Sequence, residues 1–133
     1  MQMNTDEKKD ETAVNSLTER ILGCAFRVTN TLGAGFLEKV SENALAHELG
    51  KSGFIVSQQH PIKVIYDSVI VGEYAVDLLV ENPVLVELET VRALDNNHSA
   101  QCLNYLRATF MRVCLLINFG NPRLEIKRVI HGY

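Results

Sequence analysis

Apolar residues recur at helical spacing through the first third of the chain, then switch to strand-like runs. Leu17, Ile21, Cys24, Val28 and Leu32 follow Ser16-Leu-Thr-Glu19, which has the form of a capping box, so a first helix is expected to run from there to Gly33-Ala-Gly35. A second helix is expected from near Phe36 to Ser52-Gly53, burying Leu37, Val40, Ala44, Leu45 and Leu49. Short β-rich runs follow: Phe54-Ile-Val-Ser, then Ile62-Lys-Val-Ile-Tyr66 behind Pro61, then Val69-Ile-Val after the turn residues Asp67-Ser68. Two more strands, Tyr74–Val80 and Val84–Glu89, flank Glu81-Asn82-Pro83. Asp95-Asn-Asn97 is a helix start, with Leu103, Leu106 and Phe110 predicted to face inward. The continuous apolar run from Arg112 to Asn118 predicts a strand buried on both faces, and Leu124–Ile130 a half-exposed last strand after Gly120-Asn-Pro122. Two helices, four or five strands, a helix and two strands make an α/β domain, a mixed sheet flanked by helices.

The chemistry concentrates in the run from Tyr74 to Thr90. Glu87 and Glu89 lie two apart on a strand and so share a face. If the three residues 81–83 are the whole loop, Val80 stands opposite Val84 and Asp77 opposite Glu87; a one-residue change would move Asp77 to the other face. Like charges opposed in a sheet are destabilising. A divalent cation with oxygen ligands would offset them, with the Leu88 carbonyl as a further donor. The plainer reading pairs Asp77 with an arginine and leaves Glu81 and Glu89 in solvent.

Length and composition narrow the field. A chain of 133 residues is one domain, with residues 1–12 read as a polar flexible tail and 13–133 as the folded unit. The formal charge of −3 means that any nucleic-acid binding rests on a local basic patch. Cys24, Cys102 and Cys114 are odd in number and sit in apolar segments, as buried thiols of a reducing compartment do. With no run long enough to span a bilayer and no signal-peptide core, a cytoplasmic location without membrane contact is expected.

Three other features have both a functional and a bland reading. His98, Gln101 and Tyr105 share one sector of the third helix; either Gln101 and Tyr105 orient a phosphate or metal-bound water near the carboxylates, or the three form a polar border with Tyr105 half buried. Gly33-Ala-Gly35 is either a phosphate-binding turn or a helix stop followed by a helix start. Arg107, Arg112, Arg123, Lys127 and Arg128 make either a phosphate track or a solvated face.

Four ordered segments, Gly35-Phe-Leu-Glu38-Lys-Val-Ser41, the hairpin ending Val-Glu87-Leu-Glu89, His98-Ser-Ala-Gln101-Cys-Leu-Asn-Tyr105 and Leu-Leu-Ile-Asn118-Phe-Gly-Asn-Pro, together resemble the GxxExxY proteins, from about Leu17 to Val129. That family is placed in the PD-(D/E)xK nuclease superfamily. The resemblance implies a restriction-endonuclease-like core and a nuclease-like function using one or two Mg²⁺ or Mn²⁺ ions. Glu38, Asp77 and Glu87 would be metal ligands, and Gln101 and Tyr105 the QxxxY pair of the RecB-like branch. The implied partner is nucleic acid, DNA first, with a homodimer or protein partner as a further expectation.

Two positions depart from the pattern. Ser41 stands where the motif expects tyrosine, and Glu89 where the (D/E)xK element expects its lysine. That lysine positions the attacking water and offsets phosphorane charge; glutamate reverses the sign, a swing of several kcal/mol at ~4 Å and an effective dielectric of about 20. Each ~1.4 kcal/mol is tenfold in rate. Lys39 and Lys63 are the candidates for a lysine supplied from elsewhere. The implied function is therefore a Mg²⁺-dependent nuclease weakened by Glu89, or an inactive nuclease-fold module that binds nucleic acid or protein.

Overall fold

The computed structural model describes residues 5–132. In chain order the elements are α1 (Thr5–Leu32), α2 (Glu38–Lys51), β1 (Val56–Tyr66), β2 (Val69–Val80), β3 (Val84–Glu89), α3 (Asn96–Thr109), β4 (Val113–Asn118) and β5 (Glu125–Ile130). The strands form one sheet in the order β1-β2-β3-β4-β5. Every neighbouring pair is antiparallel except β3–β4, which α3 connects as a parallel pair. This is the mixed sheet flanked by helices that the pattern predicts, consistent with a restriction-endonuclease-like core.

Each sheet face is covered. Ile21, Cys24, Ala25 and Val28 of α1 and Leu45 and Leu49 of α2 pack with Leu78, Val84, Val86, Leu88, Val113, Leu115 and Ile117. On the other face Cys102, Tyr105 and Leu106 of α3 pack with Leu79, Leu85, Cys114 and Leu116. Because β3 and β4 are buried on both sides, they read as continuous apolar runs, as central strands do. All three cysteines are buried and free.

Several expectations are corrected. α1 begins at Thr5, so helix occupies most of the stretch read as a flexible tail; its residues 1–4 lie outside the described region. Ser16 is inside this helix and caps nothing, while Thr18 Oγ1 donates to the Asn15 carbonyl at 2.9 Å. The polar run before Ser16 carries no Gly or Pro to stop a helix.

α2 starts at Glu38 and is rotated from the expected stripe: Ser41, Glu42, Leu45 and Leu49 face inward, while Leu37 and Val40 are exposed. Three strands precede α3, not four or five. Pro61 does not interrupt β1, because β1 is the sheet's edge and can lack a donor on its outer side. The two runs before Glu81 are one strand, β2. Phe110, expected inside, is 88% exposed at the end of α3 with φ +60.

Candidate active site

The turn at Glu81-Asn82-Pro83 sets the register on which the site depends. Glu81 and Asn82 both take positive φ, Val80 pairs with Val84, and the Glu81 carboxylate accepts the Ile55 amide at 2.6 Å. The β2–β3 ladder runs only from Val80↔Val84 to Leu78↔Val86. One step further, where Asp77 stands opposite Glu87, side chains replace backbone partners. The Asp77 amide donates to Glu87 Oε1 at 3.1 Å, and the Leu88 amide donates to Asp77 Oδ2 at 2.7 Å.

The strands part here because both members of the β1–β2 hairpin are kinked. Val76 and Leu79 pack in the α3 layer, yet Leu78 packs in the α1–α2 layer, an inversion that regular alternation forbids. Opposite the kink, Gln59 takes φ +50, sparsely populated for a residue with a side chain. The distortion gives Gln59 a use: its Nε2 donates to both Asp77 Oδ1 (3.0 Å) and Glu42 Oε1 (2.7 Å). Glu42 is 2% exposed and also accepts from Gln58 (2.7 Å) and Lys39 (2.9 Å).

Glu42, Gln58 and Gln59 are the site-lining residues that sequence reasoning missed. A signal was available: Glu38 and Glu42 are four apart, a repulsive spacing on a helix surface.

Electrostatics mark the same place. Burial, then the neighbouring Asp77 carboxylate, pushes the Glu87 carboxyl up to about 9. Burial, then Asp77, Glu89 and Glu42, raises Glu38 to about 7. Glu89 is raised by burial and by Asp77 and Asp95, against an opposing pull from His98. Among the described residues no basic side chain is ion-paired with Glu38, Asp77 or Glu87. The arginine partner for Asp77 in the plainer reading is therefore not found.

α3 closes the site from the other side. Asp95 caps it, its carboxylate accepting from the Asn97 and His98 amides, while His98 Nδ1 accepts the Asp95 amide at 2.9 Å. Histidine thus fills the capping-box position usually held by Glu or Gln. With Nδ1 so engaged, Nε2 is turned toward Glu89, 3.9 Å from its Oε2. Gln101 Nε2 donates to the Tyr105 hydroxyl. Burial pushes that phenol up to about 12, and it also interacts with the Glu87 carboxyl. Glu38, Asp77, Glu87, Glu89, Gln101 and Tyr105 are therefore brought to one region, the end of the sheet between α2 and α3.

Residues 15–129 match the family model of the PD-(D/E)XK nuclease superfamily. The chain belongs to that superfamily. No curated protein and no solved structure matches it significantly. The matched region includes the point where β2 and β3 separate.

Other motif positions resolve differently. Asn118 is fully buried and acts as a clamp: its amide group donates to the Val91 carbonyl (2.9 Å), and its carbonyl oxygen accepts from the Val91 and Gly120 amides (3.0 and 2.9 Å). A Cβ on Gly120 would lie 2.3 Å from the Val91 carbonyl oxygen, which explains the glycine. Asn118 and Gly120 thus fix the segment that carries the chain from Glu89 to α3. The basic residues do not form one track. Leu115 and Leu116 pack on opposite sheet faces, so their partners Arg128 and Lys127 do too, and Arg128 is held by Asn15 on α1. Among the described residues no helix is long and apolar enough to cross a membrane.

Proposed function

We propose that this chain is a metal-dependent phosphodiesterase of the GxxExxY type, acting on nucleic acid at a rate lowered by Glu89. The observation that carries the reading is the Asp77–Glu87 pair: two opposed carboxylates in a ladder that has opened, with no cationic side chain among the described residues ion-paired with them. The donor set is all oxygen and acid-rich, which fits a hard divalent ion such as Mg²⁺ or Mn²⁺.

Asp77 and Glu87 would hold the ion, with Glu38 from α2 as the third carboxylate. As they stand, no three such side chains among the described residues converge tightly enough to bind one, so Glu38 must swing in. A bound ion supplies a Lewis acid that polarises the phosphoryl oxygen and lowers the pKa of an attacking water.

The remaining roles belong to side chains. Gln59 and Glu42 orient Asp77 from behind, a supporting layer of the kind that fixes ligand geometry. Gln101 and Tyr105 provide polar groups beside Glu87 that can orient a phosphate oxygen. Lys39 is engaged with Glu42, and Lys63 lies four residues along β1 from Gln59, so neither takes the place of the motif lysine directly. The basic group beside position 89 is instead His98. It can carry a proton at Nε2, whereas Glu89 adds negative charge where phosphate must approach.

Glu89 also supports the second reading, a nuclease-fold module that binds nucleic acid without cutting it. The deciding experiment compares cleavage of single- and double-stranded DNA and RNA, with Mg²⁺ and Mn²⁺, by wild type, Glu89→Lys and Asp77→Ala. Asp77-dependent cleavage by wild type supports the enzyme. Absence of cleavage in wild type and Glu89→Lys alike overturns it.

A further inference from the structure

The β1–β2 hairpin is longer than the sheet it belongs to. β2 pairs with β1 from Val69 to Val80 but with β3 only across Leu78–Val80. The overhanging part spans about 25 Å at strand rise. Between this arm and α3 lies an open groove of about 620 Å³, lined among others by Lys63, Val64, Tyr74, Asn104, Arg107 and Phe110. A smaller recess shares Tyr74 and Asn104 with it and adds Gln101 and Tyr105. The groove therefore leads to the residues that flank Glu87.

We propose that this groove binds a single-stranded stretch of nucleic acid next to the scissile phosphate, its bases lying against Tyr74 and Phe110 and its backbone against Arg107. This deepens the nuclease reading and rests on it for the position of the cut.

Three observations favour this occupant. The aromatic residues are open to solvent, Tyr74 at 53% and Phe110 at 88%, although buried aromatics would be the stabilising arrangement. Tyr74 is propped by Tyr105, with ring centroids 5.8 Å apart and planes tilted by 56°, so it is held as a platform. Among the described residues neither Lys63 nor Arg107 is ion-paired, unlike Arg27, Lys39 and Lys51. Lys63 stands opposite Glu73 in the ladder and shares its face, one step from Ile62, which is buried against α3, so Arg107 is the cation that faces the groove. Exposed aromatic faces beside an unpaired cation match a strand whose bases are unstacked, since a duplex hides its base faces. Asn104 adds an amide that can meet a base edge.

The test measures binding of a labelled oligothymidylate, its abasic analogue and a duplex by fluorescence anisotropy, in chelator so that nothing is cut. Phe110→Asn suits the left-handed backbone there and, like Arg107→Gln, changes an exposed residue. Each variant is expected to weaken oligothymidylate binding about tenfold. Arg107→Gln should also lower the salt slope by roughly 0.7, and the abasic strand, which loses the contacts with both Tyr74 and Phe110, should bind the wild type more weakly than oligothymidylate binds Phe110→Asn. Unchanged affinity in both variants, or preference for the duplex, overturns the proposal. So does concentration-dependent self-association that Phe110→Asn abolishes in a chain that binds no oligonucleotide, which would assign the groove to a second copy. The nuclease reading fails separately. Strand binding with no cleavage under any divalent ion leaves the groove assignment standing, whereas Asp77-dependent cleavage at wild-type rate in both variants removes the groove and keeps the enzyme.

Discussion

Asp77 and Glu87 face each other across the first step at which the β2–β3 ladder has come apart, and each carboxylate accepts a backbone amide from the other's strand. The two acids thus take over hydrogen bonds that the backbone gave up, and in doing so they are held side by side. Two like charges so placed cannot both ionise at low cost without a cation.

Stability in chelator should therefore fall as pH rises. Glu38 and Glu87 are raised to about 7 and about 9, so the folded state binds protons that the unfolded chain has released above its ordinary carboxylate range. Their contribution is full below about pH 4.5 and is lost as pH climbs through the folded values. A thermal melt series from about pH 5 to about pH 9 should show a declining midpoint, and millimolar Mn²⁺ should flatten the decline. A midpoint that rises over this window would contradict the assignment.

Glu87→Gln imitates the protonated acid. Its amide oxygen can still accept the Asp77 amide while its NH₂ donates to the Asp77 carboxylate. The expected result at about pH 8 is a metal-free melting temperature higher by a few degrees, corresponding to roughly 1 kcal/mol, and loss of stabilisation by Mn²⁺. Asp77→Asn should likewise raise the metal-free midpoint. A lower midpoint in both variants would make the pair structural.

Gln59 and Glu42 should matter through Asp77. Replacing Gln59 by Leu removes the donor shared by the two acids, and calorimetric titration with Mn²⁺ should show affinity reduced by about ten- to hundredfold. Equal affinity in the variant would show that Asp77 needs no support from behind.

Glu89→Lys exchanges a repulsive charge for an attractive one beside Asp77 and His98. Cleavage with Mg²⁺ or Mn²⁺ should rise by about tenfold or more, and the gain should vanish when Asp77→Ala is added. A gain that survives Asp77→Ala would come from elsewhere in the protein.

Asn118→Ala should destabilise the fold by about 2–4 kcal/mol, because it strands the Val91 amide and carbonyl. Gly120→Ala should be comparably costly through its clash with Val91. Denaturant unfolding measures both; small losses would mean that the segment after Glu89 repositions freely.

The hairpin register was legible because it depends on local facts alone. A three-residue loop and period-two alternation fix Val80 opposite Val84, and Asp77 opposite Glu87 follows by counting. The central strands were legible for the same reason, since burial on both faces leaves a continuous apolar run.

Glu42 and Gln59 were not legible. A carboxylate is tolerated in the core only when donors meet it, and besides Lys39 on its own helix, Gln58 and Gln59 do so across a helix–strand boundary that no periodicity encodes. Their gain in hydrogen bonding also turned α2 so that Leu37 and Val40 lost the inward face to Ser41 and Glu42. Sequence placed Asp77 opposite Glu87; the kink at Asp77 and Gln59, set by packing between two layers, decided that Gln59 and, through it, Glu42 meet Asp77.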